Sequence, residues 1–327
     1  MTLRKIHLAV ASSCLAALMI LSGCSATNGG SGDSKHKVWA LLPQGTDQPY
    51  GTTYLPPLEE TAGKMGIDLT VTNSQYDSDT QASDCEVAVA ARPELIILWP
   101  AVASTVRPCL VRAKEAGIPV TITNSDVLPE DKDLTSAYSG PNTYGQGAAS
   151  ATIMCGLAEG KPVKILVVNG LTGNVTAINR RQGFVDTIAK DCPNVTIAAE
   201  QPGDWSKGTS QTVTSEMLTS VGAKNVQGIF AADDTMVAGA IDALKAQGID
   251  PKPLFITSIG NTKLGNPLVA SGELDGTVFQ SSVWDGSHAA ELADQILSGK
   301  PYEKDVFMPS VIVDKNNVAH ADVAPEW

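Results

Sequence analysis

Short, continuously apolar runs alternate with longer helix-type segments through most of the chain, and this alternation constrains the fold more than any other feature. The runs cover residues 38–42, 67–71, 95–99 and 120–123 and are rich in Val, Ile and Leu. Residues 53–65, 80–91 and 102–116 lie beside them with helical patterning, and Gly66 and Gly117 stand where two of those helices stop. A strand that is apolar on both faces belongs in a parallel sheet covered by helices on both sides. The pattern then begins again. Residues 137–139 lead into a helix at 144–158, and runs at 164–168, 195–199, 228–232 and 254–258 alternate with helices at 177–190, 208–220 and 236–247. The expected fold class is α/β: two similar three-layer α/β/α lobes, each on a parallel sheet, with a cleft between them.

Ahead of the first run stands a different kind of segment. Arg4 and Lys5 precede an apolar stretch at 6–21, which ends in Leu21-Ser22-Gly23-Cys24. A charged start, a short apolar region and small residues make a secretory signal. The stretch is at the short end for a membrane span, which needs about 20 residues. The Leu-Ser-Gly-Cys tail resembles the lipobox of bacterial lipoproteins, which implies cleavage before Cys24 and a lipid on its sulfur. Residues 1–23 are thus read as a lipoprotein signal peptide and 24–36 as a flexible tether. The membrane is then reached through the lipid anchor alone, from the extracytoplasmic side.

Removal of the signal takes away Arg4 and Lys5 and no acidic residue, so the net charge moves from −12 to −14. An acidic chain of this kind argues against nucleic acid as a partner. Four cysteines remain beyond Cys24: Cys85, Cys109, Cys155 and Cys192. Four allow three pairings. Cys85 and Cys109 fall in successive helical segments, as do Cys155 and Cys192, so two local disulfides are expected over the rival reading of buried free thiols. No Cys-x-x-Cys occurs and His7, His36, His288 and His320 are scattered, so neither a metal site nor a cofactor is expected.

In open α/β sheets the ligand lies beyond the carboxyl ends of the strands. Those positions carry Gln48, Tyr50 and Asn124 in the first half, and Arg180, Trp205, Asp233, Asn261 and Gln280 in the second. Amides, one cation, one anion and two flat aromatics suit a small, neutral, polyhydroxylated ligand. Of the adjacent pair, Asp233 is assigned to the ligand and Asp234 to the helix cap. Trp284 and Asp285, just beyond Gln280, are weaker candidates. There is no Gly-x-Ser-x-Gly elbow, no His-Glu-x-x-His and no phosphate loop, and Gly145-Gln146-Gly147 lacks the third glycine of a nucleotide fingerprint.

Several of these residues fall in motifs. Asp47-Gln48-Pro49-Tyr50, Gly117-Ile118-Pro119-Val120, Arg180-Arg181-Gln182-Gly183-Phe184 and the stretch Phe230-Ala231-Ala232-Asp233-Asp234-Thr235-Met236 occur in that order. Together they resemble the type I periplasmic sugar-binding proteins, the ribose/galactose-binding class that serves ABC importers, over residues 38–314. The resemblance implies that Gln48 and Tyr50 contact ligand from the first lobe, Arg180 grips its hydroxyls and Trp205 stacks on its ring. It places Asp233 where the family usually has asparagine, and matches Gln280 to a hinge-side glutamine. Two departures stand out. Asn124-Ser125 replaces an Asp-Arg pair, and Gly260-Asn261 replaces an aspartate, which points to a sugar alcohol or an unusual monosaccharide. The family also implies crossovers near Gly140, Gln280 and Met308. These give a first lobe of 37–140 plus 281–307 and a second of 141–280 plus 308–321. Hinge closure on the ligand, a monomeric state, and delivery to an ABC transporter permease with a separate ATPase subunit follow from the same resemblance. A receptor for a small signalling molecule on this fold, a cleft glycosidase and a repressor core are the alternatives. The last would need a DNA-binding motif where the signal and tether stand.

Overall fold

A computed structural model describes residues 35–327. The expected signal peptide, the lipidation site at Cys24 and the tether as far as residue 34 lie outside the described residues. His36, counted with the tether in the sequence reading, already opens the first strand.

Hydrophobic alternation explains the first half. Strand β1 (His36–Leu42) sends Val38, Ala40 and Leu42 to one side and Leu41 to the other. On the first side lies helix α1 (Pro49–Lys64). After β2 (Ile67–Asn73), helices α2 (Ser78–Ala91) and α3 (Ala103–Glu115) cover the second side, with β3 (Leu95–Leu98) between them in sequence. Every residue of β3 and of β4 (Val120–Thr123) is buried, as strands covered on both faces must be. Strand β5 (Ala137–Pro141) completes this run. The second half repeats the scheme with α4 (Thr143–Ala158), β6 (Val163–Asn169), α5 (Val175–Asp191), β7 (Val195–Pro202), α6 (Lys207–Val221), β8 (Gly228–Ala231), α7 (Asp234–Ala246), β9 (Phe255–Thr257), α8 (Gly265–Ser271) and β10 (Gly276–Val278). Helix α9 (Ser282–Leu297) and strands β11 (Asp305–Met308) and β12 (Ile312–Asp314) follow.

The strands form two six-stranded sheets. One has the order β11-β5-β4-β3-β1-β2 and the other β12-β10-β9-β8-β6-β7. The first is parallel throughout. The second departs from the expected all-parallel arrangement, because β12 runs antiparallel to β10. Chain direction explains it: β11 ends at the same side as its parallel neighbours, and three residues are too few to return to the other end. The chain passes between the sheets at 141–143, 279–281 and 309–311.

Capping sets where several helices begin. Asp77, Asn142, Asn174, Ser206, Asp233 and Ser281 each accept a hydrogen bond from the backbone N–H three residues on. Helix α1 starts earlier than its apolar pattern suggests, with Pro49 in its first turn, where a missing N–H costs nothing. Tyr50 is therefore helical rather than a loop residue. The four expected cysteines form the two local bridges. Cys85–Cys109 joins α2 to α3 and Cys155–Cys192 joins α4 to the end of α5, with Cα separations of 6.0 and 5.4 Å.

Candidate functional site

A cavity of about 280 Å³ opens at the carboxyl ends of both sets of strands. Gln48, Tyr50, Asn124, Arg180, Trp205, Asp233 and Gln280 all line it. Asn261 does not. It is fully buried, donates its amide to the carbonyl of Val323 and accepts from Asn266 at 3.1 Å, so its bonding is structural. It adopts a left-handed backbone conformation (φ 51°) in the β9–α8 turn.

Arg180 is the centre of the second-lobe wall. Only 4% of it is exposed, and its guanidinium reaches neutral oxygens. Nε and Nη2 donate to Gln146 Oε1 at 3.1 and 2.9 Å, Nη1 to the carbonyl of Ala232 at 2.8 Å, and Nη2 also to Gln280. Burial lowers its pKa to about 10, against the pull of Asp233, so it remains a cation at neutral pH. It sits in the second turn of α5, since Asn174 caps that helix earlier than the sequence pattern suggests.

Asp233 does two jobs. It is the residue before α7, so its Oδ1 accepts from Met236 N at 2.7 Å and caps the helix. It also lines the cavity, 7% exposed. Burial raises its pKa to about 7, opposed by the Met236 amide and by Arg180. The expected division of labour is corrected: the cap belongs to Asp233, and Asp234 is a buried anchor. Asp234 accepts from Thr277 Oγ1 at 2.8 Å, from Thr262 N at 2.7 Å and from Ser258. The reason is register, because the helix begins one residue earlier than the assignment of Asp234 as cap required.

Trp205 is aimed by its backbone. Asp204 and Trp205 both adopt positive φ, 53° and 57°, in the turn between β7 and α6. A side chain in that region costs about 1–2 kcal/mol, so surrounding packing must hold it there. Gly170 provides the room, because a Cβ at that position would come 2.2 Å from the Trp205 ring. The guanidinium carbon of Arg180 lies 5.9 Å from the ring centre.

On the first lobe, Tyr50 and Asn124 converge on one carboxylate. Tyr50 donates its hydroxyl to Asp285 Oδ2 at 2.7 Å, and Asn124 donates its amide to the same oxygen at 2.8 Å. Thr123 donates to Asp285 Oδ1 at 3.2 Å. Asp285 is fully buried, and burial raises its pKa to about 7 despite these three donors. It does not line the cavity; it holds two residues that do. Tyr50 also meets Trp99 and Trp327 edge-on, with ring centres 5.4 and 4.9 Å apart.

The cavity contains residues that the strand-end rule did not select: Gln44, Tyr76, Trp99, Asn174, Thr176 and Trp327. Trp99 directly follows β3, so the rule could have found it. Asn174 caps α5 and donates its amide to the carbonyl of Ala101 at 2.9 Å, a contact between the halves that no local pattern predicts. Trp327 carries no sequence signal at all. Gln48 Oε1 and Trp205 Nε1 are buried without a hydrogen-bond partner among the described residues. Buried polar atoms left in this way are costly, and two at one cavity mark places for a polar ligand.

Among the described residues, no group of three or more His, Cys, Asp or Glu side chains is placed to hold a metal ion. Among them, too, no helix is long and apolar enough to cross a membrane.

Comparison with known proteins agrees with this geometry. The chain is 28% identical over 268 residues to the galactofuranose-binding protein of Escherichia coli (strain K12), covering 81% of this chain and 82% of that one. It is 28% identical over 277 residues to a xylitol-binding protein of Mycolicibacterium smegmatis, covering 81% and 77%. A solved structure of a galactofuranose-binding protein superposes with a TM-score of 0.80 at 24% identity, covering 86% of this chain and 96% of that one, a likeness of fold. Residues 39–301 match the model of the periplasmic binding protein domain, and the chain belongs to that family.

Proposed function

We propose that this protein is an extracytoplasmic solute-binding protein that captures a small neutral carbohydrate, a monosaccharide or sugar alcohol, between its lobes and delivers it to an ABC importer. One observation carries the reading. A cavity walled by Trp99 and Trp205 brings a cation and a carboxylate together with amides and two polar atoms that have no partner among the described residues. Asp233 offsets the charge of Arg180 in part, and the remaining lining is uncharged amides, hydroxyls and rings apart from Asp204, which suits a neutral ligand. Amides and carboxylates bridge neighbouring hydroxyls, while indole faces cover the C–H side of a ring or chain. The relatives named for galactofuranose and xylitol support the same ligand class.

In this reading the contacts come from Gln48, Tyr50, Asn124, Arg180, Trp205, Asp233 and Gln280. The passages at 141–143, 279–281 and 309–311 form the hinge, dividing the chain into 37–140 plus 281–307 and 141–280 plus 308–321. Ligand held by one lobe gains contacts when the other closes, and closure is favoured by that difference. The closed monomer docks on a permease served by a separate ATPase subunit, and a lipid on Cys24 keeps the protein at the membrane surface.

The test is thermal unfolding of residues 35–327 against monosaccharides, sugar alcohols and amino acids. Ligand at a hundred times its Kd stabilises by about 2.7 kcal/mol. A shift with a sugar or polyol supports the reading. A response to amino acids alone would overturn the ligand class.

A further inference from the structure

The segment that follows β12 belongs to neither sheet, yet it reaches both lobes and the cavity. Val323 is 2% exposed, and its carbonyl accepts the side-chain amide of Asn261 in the second lobe. Glu326 accepts from Ser281 Oγ at 2.8 Å, Ser282 Oγ at 3.1 Å and Val283 N at 3.0 Å, at the start of α9. Helix α9 packs on α1, in the first lobe. Trp327 ends the run. Its ring lies edge-on to Tyr50, its Nε1 donates to the carbonyl of Gln280 at 3.1 Å, and it lines the cavity. The segment therefore crosses from the second lobe to the first beside the 279–281 passage.

The chemistry of the two loop tryptophans differs in a way that assigns them different roles. An indole has one donor and no acceptor. Among the described residues, Trp205 keeps that donor unpartnered at the cavity. Trp327 has spent it on Gln280, so only carbon surface remains to meet a ligand. Glu326 and Val323 anchor the backbone on either side of the hinge region, which fixes the indole against the first lobe.

We propose that Trp327 is a ligand-contacting, specificity-setting wall of the cavity, pressing on the apolar C–H face of the bound molecule, and that residues 323–327 brace the two lobes around it. The ligand class in this statement rests on the carbohydrate reading above. Trp205 then supplies a polar contact as well as a face, whereas Trp327 supplies a face alone.

Residues 35–327, which form one compact unit, are compared as wild type, Trp327→Ala and Trp327→Phe by titration calorimetry with D-ribose, D-galactose, D-fructose, xylitol and myo-inositol. Trp327→Ala should weaken the best ligand about tenfold, the scale of one lost aromatic contact. It should also compress the differences among the five. Trp327→Phe, which keeps a ring and loses the N–H, should restore most of both. A role in folding alone would lower the ligand-free melting temperature while leaving the order of ligands unchanged, and that result overturns the wall. Tighter binding by Trp327→Ala overturns it too, because the ring would then occupy ligand space. Silence of the wild type across the panel overturns the carbohydrate reading instead. The brace is then judged without any ligand, by small-angle X-ray scattering. A larger radius of gyration in Trp327→Ala and in a chain ending at Val323 supports it, and no change overturns it.

Discussion

Tyr50 and Asp285 stand 235 residues apart in the chain and 2.7 Å apart in space, the tyrosine hydroxyl donating to the carboxylate. The bond ties the first turn of α1 to the first turn of α9. Because Asn124 donates to the same oxygen, one buried group sets the position of two cavity residues. Asp285→Ala should therefore lower stability by about 1–3 kcal/mol, the cost of leaving buried donors unsatisfied, and should weaken ligand binding. Urea denaturation and calorimetry on the same sample separate the two effects. Asp285→Asn, similar in shape, should recover part of the stability.

Two buried carboxyls give the protein a pH dependence of definite sign. Asp233 and Asp285 both titrate at about 7 in the folded state, with burial as the main cause. In the unfolded chain an aspartate titrates at about 4. Between those values the folded state binds more protons than the unfolded one, so stability falls as pH rises and levels off above about 7. Asp285→Asn should flatten part of this decline. Chemical denaturation at a series of pH values checks it; a stability that rises from pH 5 to 7 and is unaffected by the substitution would sink the argument.

Arg180 is held by four donor contacts to neutral oxygens inside the cavity wall. Hydrogen bonds from a charged group are worth about 1.5–3 kcal/mol each. Arg180→Ala should lose at least one such bond to the ligand, a weakening on the order of tenfold to a hundredfold in Kd. Arg181→Ala provides the control, because Arg181 pairs with Glu200 on the surface. Its effect on Kd should be small.

Gly170→Ala tests how Trp205 is positioned. The new methyl would lie 2.2 Å from the indole, so the ring must move. Binding should fall while the melting temperature of the ligand-free protein changes little, since the cavity offers space for the displaced ring. Calorimetry paired with a thermal melt is the check.

Each disulfide closes a modest loop, with sequence separations of 24 and 37. Loops of that size correspond to about 3–4 kcal/mol of stabilisation per bridge in the chain-entropy model. Cys85→Ser with Cys109→Ser should destabilise the first lobe by that order, and the Cys155/Cys192 pair the second. Denaturant midpoints of the two double variants measure it.

What was legible in the sequence follows from short-range physics. An apolar run such as 95–98 reads as a doubly covered strand because its burial is written in every residue, and the cysteine pairs were readable because each joins neighbouring helices. Tyr50, Arg180 and Trp205 were found because strand ends feed the cleft in any open α/β sheet. Other features were settled only by packing between distant parts of the chain. The start of α7 at Asp234 gave the cap to Asp233, which keeps its place on the cavity, and left Asp234 as a buried anchor. The turn at Asn261 carried that amide into a bond with Val323, 62 residues away. Trp327 reaches the cavity through the bonds of Glu326 to the start of α9 and the contact of its own ring with Tyr50. Periodicity, caps and turns are properties of near neighbours, so the string alone determined the alternation of strands and helices, the two halves and part of the cavity lining. That Asp234 is a buried anchor for Thr262 and Thr277, and that Trp327 lines the cavity, depends on contacts across tens to hundreds of residues, and only the tertiary structure decided them.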